Sequence, residues 1–244
     1  MLVFDCKQAL FLHVKSINIS DMAAIVVKIL ETFFVTHDVK CFRIQKPVGY
    51  TYNPGQATDV AINKPQWRKE KRPFTFTCLP EDEYLEFTIK TYPEHKGVTN
   101  ELLQLKKGDE LILHDVWGEI AYKGKGVFIA GGAGVTPFIA ILRCLQHTNQ
   151  VTGNILIFAN NTKQDIILEE EFKQMLGPAF INILSKDNAD GYAHGYITKE
   201  FLKTHVPDMQ GKFYVCGPPP MMDAVLPLLE QLGVAKDSVI VEGF

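Results

Sequence analysis

The sequence predicts two folded parts: an antiparallel β-barrel of Greek-key type over residues 24–123, then an α/β domain on a parallel sheet over residues 124–244. Three observations carry this expectation. Between Ala24 and about Tyr122 the apolar residues follow strand patterns with turn residues between them, and long helical patterns are absent. After Lys123-Gly124-Lys125, short apolar runs alternate with helical stretches, which implies a parallel sheet with helices on both faces. The length, 244 residues at 46% hydrophobic and 22% charged, suits one large or two modest domains and excludes a disordered chain.

The barrel elements follow from local pattern. Ile25–Val35 is rich in β-branched and aromatic residues, so it reads as a strand. Leu85, Phe87 and Ile89 alternate with Glu86, Thr88 and Lys90, which predicts a strand with one buried face. Asn53-Pro54-Gly55 reads as a turn, because Pro presets one dihedral and Gly accepts positive φ. Residues 1–23 precede this pattern and read as an N-terminal extension; their patch Ala9-Leu10-Phe11-Leu12 is too short for a signal core.

In the second part, Val127–Ala130, Ile155–Ala159, Ile181–Leu184, Phe213–Cys216 and Val239–Val241 are strand candidates. Pro137–His147 places Phe138, Ile141, Leu142 and Leu145 on one helical face. Glu169–Leu176, the stretch around Phe201-Leu202 and Met221–Leu232 are further helices, the last closed by Gly233. The uncharged stretch Gly126–Leu142 is shorter than the ~20 residues of a spanning helix and is broken by Gly131, Gly132, Gly134 and Pro137, so no membrane span is expected.

Charge and cysteine content exclude several functions. Twenty-five Lys and Arg against 28 Asp and Glu leave a net charge of −3, with no global basic field for nucleic acid. Five cysteines stand at 6, 41, 78, 144 and 216 with no Cys-x-x-Cys pair, which argues against a bound metal, an iron–sulfur cluster or a disulfide scaffold. Free thiols suit a reducing cytoplasm.

Three segments carry chemistry. Gly131-Gly132-Ala133-Gly134-Val135-Thr136-Pro137 stands between a strand and a helix, where glycines admit a phosphate and the helix start offers free N–H groups. A tight βα turn would use the same residues. Pro137 replaces the third glycine of the usual dinucleotide fingerprint, and Asn160-Asn161 stand where an acidic residue is expected. Cys216-Gly217-Pro218-Pro219-Pro220 predicts a stiff loop at the carboxyl end of a strand, the edge where parallel sheets bind ligands, and by itself reads as readily as a buried Cys followed by a rigid loop. Arg72-Pro73-Phe74-Thr75 offers a cation, a ring and a hydroxyl within four residues, and equally reads as a strand with one exposed Arg.

Together and in this order, these segments resemble the ferredoxin–NADP reductase family, over about residues 24–244. Arg72-Pro73-Phe74-Thr75 resembles its Arg-x-Tyr-Ser/Thr flavin motif, and Pro54-Gly55-Gln56 its barrel turn. Gly97-Val98-Thr99 resembles the segment that binds the flavin pyrophosphate. Gly132 to Pro137 matches its Gly-x-Gly-x-x-Pro nucleotide loop, Cys216-Gly217-Pro218 its nicotinamide loop, and Val241-Glu242-Gly243-Phe244 its Val-Glu-x-Tyr terminus.

The resemblance implies roles residue by residue. Arg72 would pair with the diphosphate, Phe74 would pack on the flavin ring, and Thr75 would hydrogen-bond its reactive nitrogen. Ile89 and Lys90 would contact the flavin, and Thr136 and Cys216 would flank the nicotinamide. Glu242 would relay a proton, and Phe244 would cover one flavin face until nicotinamide displaces it. Ser185, Lys186 and Tyr196 would hold the adenosine phosphate end, with a modest preference for NADPH over NADH. The implied activity is a flavin-dependent NAD(P)H oxidoreductase, with FAD rather than FMN. It would pass electrons to a separate one-electron carrier such as ferredoxin or flavodoxin, or to an oxygenase component. A reductase of free flavin, and an electron-transfer or nucleotide-sensing subunit of a larger complex, are the alternatives.

Overall fold

The computed structural model describes residues 24–118 and 120–242; the N-terminal extension read at 1–23 and the terminal Phe244 lie outside the described residues. The first sheet contains β1 (Ile25–Phe34), β2 (Val39–Gln45), β3 (Ala57–Ile62), β4 (Arg72–Thr75), β5 (Tyr84–Lys90) and β6 (Glu110–Trp117). All neighbours pair antiparallel, in the order β4-β3-β6-β1-β2-β5. The end strands meet only through a single bridge, Phe76 to Phe87, so the sheet is barrel-like and not closed by a ladder. β4 is four residues long and contains Pro73, which leaves few donors for a sixth seam. The turn before β3 is the expected one: Gln56 N donates to Asn53 O at 3.0 Å, and Gly55 has φ +98.

One expectation is corrected. β5 does not bury a single face: Glu86 and Thr88 are buried along with Leu85, Phe87 and Ile89. The second face lies against the other domain, whose Arg143 reaches Glu86 at 2.8 Å. Val39 and Ile120 likewise join the core of that domain.

A five-residue helix, α1 (Val98–Leu102), lies between β5 and β6. The buried Lys40 ammonium donates to the carbonyls of Leu103 and Leu105 at 3.0 and 2.7 Å and so fixes the segment that follows α1.

The second sheet contains β7 (Gly126–Gly131), β8 (Ile155–Asn160), β9 (Phe180–Leu184), β10 (Ala193–His194), β11 (Lys212–Cys216) and β12 (Val239–Val241). The order is β10-β9-β8-β7-β11-β12, all parallel. Helices α2 (Thr136–His147), α3 (Glu169–Leu176), α4 (Lys199–His205) and α5 (Pro219–Gln231) connect the strands. Two apolar clusters sandwich the sheet, one around Phe128, Phe138, Phe158 and Phe172, the other around Ile129, Ile157, Phe213 and Leu229. The strand order reverses between β7 and β11, which makes their carboxyl ends the switch point where such sheets bind ligands.

The predicted stiff loop is shorter than expected. Pro219 and Pro220 are the first residues of α5, and only Gly217 and Pro218 form the turn. Proline fits the first helical turn because its missing N–H has no intrahelical partner there. The sheets are joined near Tyr214, whose hydroxyl accepts from Lys123 N and donates to Gly124 O, both at 2.8 Å. Among the described residues no helix is long and apolar enough to cross a membrane.

Candidate functional site

A cavity of about 740 Å³ lies between the sheets at the carboxyl ends of β7, β8 and β11. The barrel wall is Pro73, Phe74 and Thr75 of β4, Thr88, Ile89 and Lys90 of β5, and Tyr92 and Thr99. The facing wall is Gly131 to Gly134, Thr136, Asn160, Asn161, Asp165, Ser185, Gly195, Tyr196 and the turn Gly217 to Met221. Its volume is in the range of small-molecule and cofactor sites.

Backbone geometry places the two nucleotide-side loops in contact. A Cβ added to Gly134 would stand 2.3 Å from the Cys216 carbonyl oxygen, so only glycine lets these turns close together. The turn Gly132–Val135 is 3-10, and α2 then starts with Thr136 and Pro137 in its first turn. Thr136 is buried at the cavity edge.

Several side chains lining this cavity have unspent hydrogen-bonding capacity. Thr75 is buried and its Oγ1 has no hydrogen-bond partner among the described residues. Asn160 is 8% exposed, and both its Oδ1 and Nδ2 are likewise without a partner among the described residues. Buried polar atoms are normally satisfied, so both point to a polar ligand in the cavity. Phe74 offers a half-buried ring beside Thr75, tilted against Phe87 at 6.3 Å. Lys90 pairs with Asp38 at 2.9 Å. Burial would raise the Asp38 carboxyl, but the Lys90 hydrogen bond and charge, with Thr36 and His37, hold it below its ordinary value.

Of the sequence-predicted residues, Pro73, Phe74, Thr75, Ile89, Lys90, Thr99, Gly132, Gly134, Thr136, Ser185, Tyr196, Gly217 and Pro218 line this one cavity. Others do not. Arg72 is 48% exposed beside it, its guanidinium donating to the Lys71 carbonyl and 3.8 Å from Glu70. Gly97, Val98 and Pro137 support the walls from behind, with Val98 and Pro137 buried. Lys186 is exposed outside the lining, whereas its neighbour Ser185 donates to Asn161 Oδ1 at 3.1 Å on the wall.

Cys216 is fully buried, with its side chain in the Phe128 core rather than on the cavity. Burial, and then the nearby Glu242 charge, push its thiol up to about 12. Glu242 is itself buried, against Gly118.

Sequence reasoning missed Thr88, Tyr92 and Asp165 as lining residues. Thr88 fell on the face of β5 expected to meet water. Tyr92 carried only the signal of an exposed aromatic, stacked on His95 at 5.5 Å. Asp165 is the third-position partner of a capping box, accepting from the N–H and hydroxyl of the N-cap Thr162 at 2.8 Å, and reads as nothing more in sequence.

Comparison with known proteins agrees with this geometry. Residues 128–226 match the family model of the oxidoreductase NAD-binding domain. The chain is 30% identical over 230 residues to the reductase component of propane 2-monooxygenase from Rhodococcus jostii, covering 86% of this chain and 60% of that protein. It is 26% identical over 255 residues to human NADH-cytochrome b5 reductase 1, covering 86% and 82%. The chain thus spans about 60% of the length of the first of these relatives.

Among solved structures, the FAD/NAD-binding domain of nitric oxide dioxygenase from Vibrio cholerae superposes with a TM-score of 0.80 at 22% identity, covering 90% and 98%. A ferredoxin NADP+ reductase from Neisseria gonorrhoeae with bound FAD and NADP superposes at 0.79 with 17% identity, covering 91% and 99%. The chain carries an oxidoreductase NAD-binding domain within a two-domain fold of the ferredoxin–NADP reductase type.

Proposed function

We propose that this chain, built on a barrel-like sheet and an oxidoreductase NAD-binding domain, is a flavin-dependent NAD(P)H oxidoreductase that binds one FAD and passes electrons to a separate one-electron carrier. The observation that carries the reading is the cavity at the domain junction, whose opposite walls include Thr75 and Asn160, each with buried side-chain polar atoms that have no partner among the described residues. A bound flavin would take two electrons as a hydride from nicotinamide and release them singly, chemistry that no side chain supplies.

The residues present fit that group. Thr75 would donate or accept a hydrogen bond at the ring edge, and Phe74 would pack on the ring. Arg72 would swing from its exposed contacts to the diphosphate, with Gly97 to Thr99 beside it. On the facing wall Thr136 and the Gly217-Pro218 turn would orient the nicotinamide, while Gly132 and Gly134 keep the backbone clear for phosphate. Cys216, in the core behind the Gly217-Pro218 turn and not on the cavity, would support that turn as a neutral thiol. Glu242, which raises that thiol, would hold the proton that the relay requires.

Any preference for NADPH over NADH would rest on Ser185 and be modest at most. Ser185 is on the wall, but Lys186 is not, and the Asp165 carboxylate lines the same cavity and opposes an added phosphate. The expected ratio of kcat/KM is within about tenfold, or about 1.4 kcal/mol.

Ferredoxin, flavodoxin or an oxygenase component are the partners this reading favours. Arg68, Lys69 and Lys71, exposed just before Arg72, would steer an anionic carrier. The buried thiols of Cys41, Cys78 and Cys216 suit a cytoplasmic setting.

Equilibrium dialysis against FAD and FMN tests the reading. One FAD per chain is expected, weakened by Arg72→Ala roughly ten- to a hundredfold, the worth of a charge-assisted hydrogen bond of about 1.5–3 kcal/mol. Absence of FAD binding by the wild type would overturn it.

A further inference from the structure

Behind the cavity, one guanidinium joins the two domains. Arg143 Nη1 donates across the junction to the Thr77 carbonyl at 2.7 Å and to Glu86 Oε1 at 2.8 Å. Its Nε and Nη2 donate to the two carboxylate oxygens of Glu171 on α3, at 2.6 and 2.8 Å. The barrel-side anchor is fixed within its own domain. Thr77 Oγ1 donates to Glu86 Oε1 at 3.0 Å, and Arg43 Nε donates to Glu86 Oε2 at 3.0 Å.

The placement of these atoms is specific. Arg143 is on α2, whose first residue is the cavity residue Thr136, about 10 Å up the helix at 1.5 Å per residue. Thr77 follows Thr75 by two residues, and Glu86 precedes Thr88 by two on the same face of β5; both Thr75 and Thr88 line the barrel wall. Arg143, Glu86, Thr77 and Glu171 are all absent from the lining. One side chain therefore bonds the helix that presents Thr136 to the strand segments that present Thr75 and Thr88. It does so through a planar fork that a lysine cannot reproduce.

We propose that Arg143 is a positioning residue that sets the separation of the two cavity walls, and with it the approach of nicotinamide to flavin. This rests on the reading of the cavity as a flavin–nicotinamide site. Reactions between two held groups depend steeply on their separation, and a 1 Å misplacement costs roughly a hundredfold in rate. Loss of the fork should therefore slow the reaction of bound partners more than it weakens their binding.

The test uses the full chain as wild type, Arg143→Lys, Glu86→Gln and Glu171→Gln, with the surface variant Lys173→Gln as control. In stopped-flow reduction of the FAD-loaded protein, Arg143→Lys should lower the limiting rate about ten- to a hundredfold. The FAD dissociation constant and the half-saturating nucleotide concentration should move by less than about threefold, because ground-state binding is retained. Glu86→Gln should act in the same direction, and Glu171→Gln more weakly, since it loosens only one anchor. Lys173→Gln should behave as wild type.

In the flavin-free protein, amide hydrogen exchange over residues 76–90 and 136–143 should be faster in Arg143→Lys. A variant that melts earlier but keeps the wild-type limiting rate would reduce Arg143 to a structural tie and overturn the proposal. If Arg143→Lys does not fold, an unchanged limiting rate in both Glu86→Gln and Glu171→Gln overturns it equally. A wild type that binds FAD but is reduced by neither nucleotide overturns the functional reading instead. Unchanged exchange in the flavin-free variant then still refutes the clamp.

Discussion

The two sheets bury their strands differently. In the parallel sheet, β7, β8 and β11 are largely apolar on both faces, because helices cover both sides. In the barrel-like sheet, β5 alternates, yet its polar residues are buried too: Glu86 and Thr88 meet the second domain instead of water. The first sheet is stabilised locally by apolar packing and across the domain junction by charge and hydrogen bonds. The difference teaches that an alternating strand reports its own fold's inside, not whether the other side is wet.

The largest expected effect breaks the apolar side of this comparison. Phe128 is fully buried, stacked on Tyr214 at 4.4 Å and edge-on to Phe138 at 5.1 Å. Phe128→Ala should destabilise by roughly 3–5 kcal/mol in denaturant titration, from lost burial and the cavity left behind. The polar side should respond less. Glu86→Ala should cost about 2–3 kcal/mol, below the value for fully buried pairs because Arg143 keeps some solvent contact.

Acid should sharpen the contrast. Burial would raise the Glu86 carboxyl, but the charge and hydrogen bond of Arg143, with Arg43 and Thr77, hold it below its ordinary value of 4.5. A carboxylate with a depressed folded pKa stabilises above its unfolded value and loses that contribution as pH falls through the folded one. The melting temperature of the wild type should therefore drop more steeply below about pH 4.5 than that of Glu86→Gln. Equal slopes would place the acid sensitivity elsewhere. Smallest of all, Thr75→Ala should change stability by less than about 1 kcal/mol, since its hydroxyl has no partner to lose among the described residues.

Much of the molecule was legible in the sequence because each half obeys its own period. The change from an antiparallel sheet to a parallel one alternating with helices, and the glycine turn before Thr136, follow from local chemistry and are present in the fold. Thirteen of the expected site residues share one cavity for the same reason: they sit at strand ends and turns, where residue type reports backbone need. Arg143 and Glu86 were not legible, because their meaning depends on two domains meeting. Asp165 was hidden by its capping role. Cys216 misled by position, since the last residue of a strand can point into the core as readily as toward a ligand. Pro219 and Pro220 misled because proline is a helix breaker only beyond the first turn.

The central claim is that the junction cavity holds FAD where nicotinamide can reach it. The most direct test is anaerobic addition of NADPH, then NADH, to the purified FAD-loaded chain while the visible flavin absorbance is followed. The account predicts bleaching by both nucleotides, with efficiencies within about tenfold of each other. A chain that retains FAD but keeps its full absorbance in excess NADPH and NADH would contradict it.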